Sequence, residues 1–505
     1  MSAVNKKLLQ VYDSEVGREL VVLSYLSRSE DFVSIKEIAQ KTGLTPISVQ
    51  KHLEKINVII EDLGEQDMGI LVTEAGVQFY TATIQQYYRL RNHLIHSSVG
   101  VQLGLKLLVG NEIHRESFLM THFISEATFK RRIKELKHFF LEYNLNLKAR
   151  NGAYIIKGDE AQIRKVAYES LVDLHLEGSW PFETIDEDVV IARVESYFGM
   201  TESDENAGFF RKAKLDYGIM ISRFRNHHHL KFDFSRIEKN LYDLLIQIVS
   251  KIPQTSELPV EHSVSFLATL LSDERFYATP NGQKILALLQ KSNSQLAELV
   301  TYSARTFSKS FDLQTDYVKM EPSLYSIHFE KLFYHYWRGA MHKKSLITPC
   351  PMLNRKCIQY ILDLRKAYPQ ILTGTLYLLT RKYVVFYGRY QHFSFYELPI
   401  RVYLGDGDFP YQAETVAHIC QAMFSSKYNL VFSSLAEADL RIQPTSALPP
   451  PRLSKQKESI PTYYLNLSRP YRKFLRLDEM FQEAANQKIL EYNRQVYQKF
   501  LNSNN

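Results

Sequence analysis

A basic helical stretch followed by a hairpin signal constrains this chain more than any other feature. From Ser125 onward, apolar residues recur at helical spacing, so one stripe of the helix faces a core while Arg131 and Lys134 project on the opposite side. The Ser125 hydroxyl is suited to cap the helix start by accepting a hydrogen bond from a free backbone N–H. Asn151-Gly152 then separates two short apolar runs, and Asn-Gly is the strongest two-residue hairpin signal.

Residues 116–122 are long enough for the first helix of a helix-turn-helix pair, and two helices followed by a hairpin predict a winged helix. We expect such a domain to bind duplex DNA. Arg131 can donate two hydrogen bonds to a guanine edge, and the surrounding cations can contact phosphates. The expected DNA contacts are Ser125, Thr128, Lys130, Arg131, Arg132, Lys134 and Lys137 on the helix, with Lys148 and Arg150 in the wing. On charge alone, a solvated cationic helix in a generic α protein is the alternative.

A second, weaker helix-turn-helix signal lies upstream. Ser34 and Glu37 have the spacing of a capping box, the helix they start breaks at Gly43, and Thr45-Pro46 begins the next helix. The expected buried stripe of that helix is Val49, Leu53, Ile56, Ile60 and Leu63. Its outward side carries the expected DNA contacts Ser48, Lys51 and Lys55, together with the apolar Ile47 and Val58. Residues 68–73 are expected to form its wing.

Composition bounds the remaining possibilities. A chain of 505 residues, 45% of them hydrophobic, is expected to hold three to five domains. Its formal net charge of +7 is mild for this size, so a nucleic-acid surface has to be local. Three scattered cysteines without a CxxC pair indicate a reducing compartment rather than a disulfide framework or a zinc site. Without a signal-peptide pattern or a spanning apolar run, we expect a cytoplasmic protein that needs no membrane and no cofactor.

The periodicity changes twice along the chain. Residues 161–396 are mostly helical in pattern and are cut by proline-containing breakers, which fits two helical bundles. From residue 398, strands are expected at 400–404, 429–433, 438–442 and 463–467, with helices at 413–426 and 477–501, which predicts a small α/β domain. The expected fold class is therefore multidomain and mainly α, with two winged helix-turn-helix domains (10–75 and 76–160), two bundles (161–275 and 276–396) and a C-terminal α/β domain (397–505).

This order of parts resembles the Mga, RofA and AtxA family of Gram-positive virulence regulators. The most specific residues are Ser125, Thr128, Arg131, Ile133, Leu136, Tyr154, Gly158, Asp159, Glu160, Ile163 and Arg164, which stand in the family's order. The resemblance implies that the bundles are phosphotransferase-regulated domains and that the last domain is similar to enzyme IIB of the sugar phosphotransferase system. It also implies a homodimeric regulator, favoured to be an activator of virulence or surface-protein genes, whose histidines are phosphorylated by the phosphocarrier protein of that system.

The chain departs from an active enzyme IIB at one loop. That enzyme carries a phosphorylatable cysteine after its first strand, where backbone N–H groups can hold a phosphate. Residues 405–408 are Gly-Asp-Gly-Asp here, and their two carboxylates would repel a phosphoryl group. We therefore expect no enzyme activity, a role in dimerisation or interaction for this domain, and a core position for Cys420.

The phosphorylation implied by the resemblance has several histidine candidates. His175, His227, His228, His229 and His262 lie in the first bundle, and His328, His335, His342 and His392 lie in the second. Of these, His227, His228, His229, His262 and His328 are favoured. A metal site is not expected, because the consecutive side chains of His227, His228 and His229 diverge. His328, His335 and His342 would share a helical face but are spaced about 10 Å apart along it.

Two other classes of function remain alternatives. An RNA-binding antiterminator also carries paired phosphotransferase-regulated domains, but two helix-turn-helix units argue against its small β RNA-binding module. A phosphotransferase enzyme would need the missing loop cysteine.

Overall fold

Helices dominate the fold. The computed structural model describes residues 11–503 except 30, 173, 175–179, 204, 227–231, 236, 253–257, 334–349, 370, 373–375, 406–411, 446–459 and 467–469. The chain divides into a first unit, residues 1–302 and 320–345, and a second unit, residues 303–319 and 346–505. The expected mainly α, multidomain fold class is confirmed, whereas the five domain boundaries stay a prediction.

The first unit begins with three helices and a hairpin. They are α1 (Ser14–Leu26), α2 (Ile35–Thr42), α3 (Pro46–Asp62), β1 (Met68–Thr73) and β2 (Gly76–Thr81). The hydroxyls of Ser34 and Thr45 cap α2 and α3 by accepting hydrogen bonds from backbone N–H groups at 3.2 Å. Gly43 ends α2 in the left-handed conformation, with φ of 73°. The antiparallel pairing of β1 with β2 supplies the wing strand expected at residues 68–73.

A second set of helices and strands follows in the same unit. It contains α4 (Ile84–His96), α5 (Val99–Leu108), β3 (Ile113–His114), α6 (Arg115–His122), α7 (Glu126–Leu141), β4 (Asn146–Arg150) and β5 (Ala153–Lys157). The three strands form an antiparallel sheet of order β3-β5-β4. Asn151 and Gly152 both have positive φ, 50° and 79°, as a type I′ turn requires. The predicted hairpin is confirmed.

A capping box marks the start of α4. Tyr80 lies in β2, and the helix begins only at Ile84. Thr83 and Gln86 form a capping box, in which the Gln86 N–H donates to Thr83 Oγ1 at 3.3 Å and the Thr83 N–H donates to Gln86 Oε1 at 3.1 Å. These reciprocal bonds set the helix start there.

Further helices complete the first unit. They are α8 (Glu160–Val172), α9 (Glu187–Phe198), α10 (Ala207–Asn226), α11 (Lys239–Ser250), α12 (Val260–Leu271), α13 (Pro280–Gln290) and α15 (Glu321–Phe333), with α14 (Gln295–Ser310) contributing residues to both units. These helices bury apolar side chains on their inner sides, including Leu241, Leu245 and Leu267. The breaker at Thr279-Pro280 starts α13, with the Thr279 hydroxyl as cap and proline in the first turn.

The second unit contains the α/β elements. They are α16 (Pro351–Ala367), α17 (Leu376–Tyr387), β6 (Ile400–Leu404), α18 (Gln412–Phe424), β7 (Leu430–Phe432), β8 (Leu440–Thr445), β9 (Thr462–Asn466) and α19 (Pro470–Ser503). The strands form a parallel sheet of order β7-β6-β8-β9, with α18 and α19 packed on it. Cys420 is buried in this core among Val402 and Phe481, and burial raises the pKa of its thiol to about 12. The expected core position of Cys420 is confirmed, while residues 406–408 of the acidic loop lie outside the described residues.

Candidate nucleic-acid interface

Helix α7 is held by its own cap and by a buried stripe. The Ser125 hydroxyl accepts a hydrogen bond from the Thr128 N–H at 3.2 Å, which satisfies a free donor of the first turn. Phe129, Ile133 and Leu136 are buried at helical spacing, as expected. The orientation of α7 is therefore determined by packing on one side, and its other side faces solvent.

Basic side chains occupy that other side. Arg131, Lys134 and Lys137 are exposed, as the sequence predicted. Lys130 is also exposed, and its ammonium forms an ion pair with Glu126 at 3.0 Å across one helical turn. Hydrogen bonding by Lys130 lowers the pKa of the Glu126 carboxyl. The exposure of this face is confirmed, and its contact with DNA stays a prediction.

The structure corrects the predicted exposure of Arg132. The sequence placed it beside the exposed face, but its side chain is buried and 5% exposed. Its guanidinium forms ion pairs with Asp13 and, at 2.6 Å, with Glu135. Asp13 precedes α1 and also accepts a hydrogen bond from the Val99 N–H at 3.0 Å, at the start of α5. Arg132 therefore connects the two helix-turn-helix copies and is not available to phosphate.

The wing places two further cations on the surface of the same domain. Lys148 and Arg150 lie on β4, and both are exposed. The hairpin between β4 and β5 holds them beside the helix-turn-helix, because Phe129 of α7 packs edge-on against Tyr154 of β5 at 5.7 Å.

The first helix-turn-helix presents its cations differently. Lys51 and Lys55 of α3 both form ion pairs with Glu15 of α1, at 3.3 and 2.8 Å. Hydrogen bonds from Lys55 and Lys51 lower the pKa of Glu15 to about 2, so this carboxylate stays ionised at neutral pH. Ser48 is half-buried. Ile47 is 82% exposed, in agreement with the apolar outward positions expected there.

The two helix-turn-helix copies share one open groove of about 780 Å³. Lys51, Lys55, Thr128 and Arg131 line it, and so do the carboxylates of Glu15, Glu19 and Glu54. With Arg132, which also lines it, five of the predicted DNA contacts lie around one groove of mixed charge. The sequence could not show this, because residues of the two copies are brought together only by packing.

Phe123 was not among the expected DNA contacts. It lies in the turn between α6 and α7 in the left-handed conformation, with φ of 49° and ψ of 42°. Such a conformation costs about 1–2 kcal/mol for a residue with a Cβ. Its side chain is 95% exposed. Gly43 occupies the matching turn of the first copy. An alignment of the two copies in the sequence shows that phenylalanine replaces glycine at this turn.

Among the described histidine candidates, His262 and His328 are buried and His392 is exposed. His262 is 4% exposed, and its Nδ1 lies 2.7 Å from Nη2 of Arg164, which donates the hydrogen bond. Burial, and then the positive charge of Arg164, lower the pKa of His262 to about 4. His328 is fully buried. His227, His228 and His229 lie outside the described residues, as do His175, His335 and His342.

The described residues contain neither a metal-binding cluster nor a helix suited to span a membrane. No group of three or more His, Cys, Asp or Glu side chains suited to a metal ion occurs in them. Among the same residues, no helix has the length and hydropathy required to cross a bilayer.

Comparison with known families matches one part of the chain. Residues 84–170, which run from α4 into α8, match the family model described as the Mga helix-turn-helix domain. No curated protein matches the chain. The matched range contains α7, its wing and the exposed cations described above, so the family that the sequence resembled is supported where its residues were most specific. Residues 84–170 are thus similar to the Mga helix-turn-helix domain, and this similarity supports the resemblance of the chain to the Mga-like regulators.

Proposed function

We propose that this chain regulates transcription by binding duplex promoter DNA through α7, placed in the major groove, and through the wing beside it. The observation that carries the proposal is the surface of α7 opposite its buried stripe, where Arg131, Lys134 and Lys137 are exposed within the Mga helix-turn-helix domain. Lys148 and Arg150 extend that positive surface onto the wing.

The roles of these residues follow from their chemistry. Arg131 donates two hydrogen bonds to a guanine edge, which gives about 1–3 kcal/mol of base discrimination. Thr128 and Lys134 lie near it on the same helix, and Ser125 caps that helix where it meets the DNA. Lys130, Lys137, Lys148 and Arg150 contact phosphates, which position the protein without specifying sequence.

The first copy contributes a second contact. Ser48, Lys51 and Lys55 bind phosphates of the same duplex once the two lysines exchange Glu15 for DNA. In this proposal Glu15 weakens binding, because its carboxylate competes with phosphate for both ammonium groups.

The finer regulatory roles rest on the family resemblance. We propose a cytoplasmic homodimer, associated through the bundles and the C-terminal domain, that activates virulence or surface-protein genes. The phosphocarrier protein of the sugar phosphotransferase system phosphorylates one or more of His227, His228, His229, His262 and His328. Because His262 and His328 are buried, transfer to either requires the helices around it to open, and the added charge would then oppose their closing.

A titration of the full-length protein tests the DNA-binding proposal. Labelled duplex DNA, hairpin RNA and the phosphorylated phosphocarrier protein are offered separately, and binding or phosphoryl transfer is measured. We expect tight, salt-dependent binding of the duplex and about tenfold or greater loss in Arg131→Ala. An unchanged affinity in that variant would remove the role of Arg131. Preference for the RNA hairpin would favour an antiterminator, and turnover of the phosphoryl donor would favour an enzyme.

Phosphorylation has its own test. At a true site, His→Asp mimics the charged state and His→Ala cannot carry it, so the two changes should shift promoter output in opposite directions. Equal behaviour of the pair at all five histidines would remove the phosphorylation proposal, while leaving the DNA-binding proposal intact.

A further inference from the structure

We propose that Phe123 packs its ring against a thymine methyl group at the edge of the major groove, so that it selects sequence beside Arg131. The inference rests on the proposed function and adds to it an apolar contact in the turn that precedes α7.

The conformation of Phe123 is the first observation. Its φ of 49° and ψ of 42° lie in the left-handed region, which bulky side chains rarely occupy. The first copy makes the same turn with Gly43, at φ of 73° and ψ of 19°. Glycine adopts this region without steric cost. The turn itself therefore does not require a ring at this position, and glycine would stabilise it.

The exposure of Phe123 is the second observation. Its side chain is 95% exposed, and that of Met120, three residues earlier, is 76% exposed. By contrast, Phe118 of the same helix is buried and contacts Phe129 with ring centroids 5.9 Å apart. The ring of Phe123 is thus held in solvent on a strained backbone, and the core of the domain does not use it.

The position of the turn indicates which group of the DNA the Phe123 ring contacts. Phe123 lies two residues before Ser125, the cap of α7, and the N-terminal residues of a recognition helix are those that contact base edges. Lys130 and Arg131, which follow on the same helix, are exposed and attract a polyanion to this side of the domain. The thymine methyl is the apolar group that the major groove presents. When α7 lies in the major groove, a ring at its start therefore contacts a thymine methyl group.

The experiment separates the ring from the backbone. A preferred duplex is first selected by the full-length protein from a random-sequence library, and each thymidine is then replaced in turn by deoxyuridine, which lacks only the methyl group. Phe123→Ala removes the ring and keeps a Cβ in the left-handed conformation, whereas Phe123→Gly also relieves the backbone. Asp312→Gly is the control, because Asp312 is exposed with φ of 50° in the second unit.

We expect the wild-type protein to lose affinity about threefold to tenfold at one deoxyuridine position. Both Phe123 variants should bind the thymidine duplex with that weaker affinity and no longer distinguish the two bases. Of the two Phe123 variants, only Phe123→Gly should also unfold at a higher temperature, by about 2 °C or more. Asp312→Gly should keep the wild-type affinity and base discrimination.

Two results would overturn this inference and leave the proposed function intact. One is wild-type affinity and thymidine preference in both Phe123 variants. The other is unchanged DNA binding with lost promoter output, which would assign the ring to a protein partner. If the wild-type protein selects no duplex at all, the proposed function fails, and this inference fails with it.

Discussion

Arg223 and Glu160 form a two-point ion pair that is closed to solvent. Arg223 donates from Nε to Oε1 of Glu160 at 2.6 Å and from Nη2 to Oε2 at 2.7 Å, and both side chains are 2% exposed. The remaining Nη1 of Arg223 donates to the carbonyl oxygen of Leu108 at 2.9 Å. Arg164 donates to the same Glu160 carboxylate at 3.1 Å and also contacts His262. One buried carboxylate thus joins α8 to α10, and Arg223 joins both to the end of α5 in the Mga helix-turn-helix domain.

Removing the charge of Glu160 should destabilise the first unit strongly. Although burial alone raises the pKa of Glu160, Arg223 and Arg164 hold it below its usual value. Glu160→Gln keeps the shape but removes the carboxylate that both buried guanidinium groups bind, which should cost about 3–5 kcal/mol of unfolding free energy. Thermal or urea unfolding measures the loss. The control is Glu261→Gln, on the exposed side of α12, and a similar small effect of both changes would contradict the prediction.

The burial of His262 should make stability depend on pH. The pKa of His262 is lowered to about 4 in the folded protein, whereas a histidine in the unfolded chain has its ordinary pKa of about 6.5. As the pH falls, the unfolded chain therefore binds a proton at this histidine before the folded protein does. Stability from this group is therefore present near neutral pH and is lost between about pH 6.5 and 4, by up to about 3 kcal/mol. Comparing the unfolding of His262→Gln with that of the wild-type protein near pH 7 and near pH 4.5 isolates it.

Two carboxyl groups near His262 also make stability depend on pH, so the variant has to be compared with the wild-type protein at both pH values. Burial raises the pKa of Asp216 to about 6, so this carboxyl binds a proton more readily when folded and its contribution to stability increases as the pH falls. Glu160 has the opposite sign, since its folded pKa is lowered. Both groups remain in His262→Gln, so a shallower pH dependence in the variant reports the histidine. Parallel curves for the two proteins would refute the assignment.

Adjacent arginines of α7 should have different effects when each is removed. Arg132→Ala breaks the ion pairs with Asp13 and Glu135 and should cost about 2–3 kcal/mol of stability. Arg131→Ala should change stability by less than about 0.5 kcal/mol, because Arg131 is exposed. Unfolding midpoints of the two variants test the contrast. Equal stabilities would mean that Arg132 does not connect the two copies as described.

Neutralising Glu15 should strengthen DNA binding. In Glu15→Gln, Lys51 and Lys55 lose the carboxylate that they share, and Lys55 keeps only Glu19 at 3.7 Å. Up to two more cations can then displace counter-ions from the duplex. The affinity should rise and the slope of log K against log salt should steepen by up to about 2. Anisotropy titrations at several salt concentrations measure both quantities. Glu61→Gln makes the same charge change at the exposed end of α3, and an equal gain there would mean that only net charge matters.

Much of the fold could be predicted because its signals are local. The Ser125 cap, the Asn151-Gly152 turn and the alternation of strand and helix after residue 398 involve residues that are close in sequence. Caps and tight turns form from a few neighbouring residues, and apolar periodicity indicates which side of a helix is buried before its partner is known. The exposure of Arg131 and the burial of Phe129 followed from that periodicity.

The exceptions depend on partners far away in the chain. Periodicity alone left Arg132 beside the exposed side of α7, but Asp13, which precedes α1, pairs with it and it is buried. Glu15 of α1 pairs with Lys51 and Lys55 of α3 in a more exposed position, and Arg164 reaches His262 only when α8 packs on α12. The sequence by itself determined the helices, the hairpins and which domain carries the basic helix. The tertiary structure decided which of its cations are free, because a buried ion pair forms only when packing brings opposite charges together and excludes water.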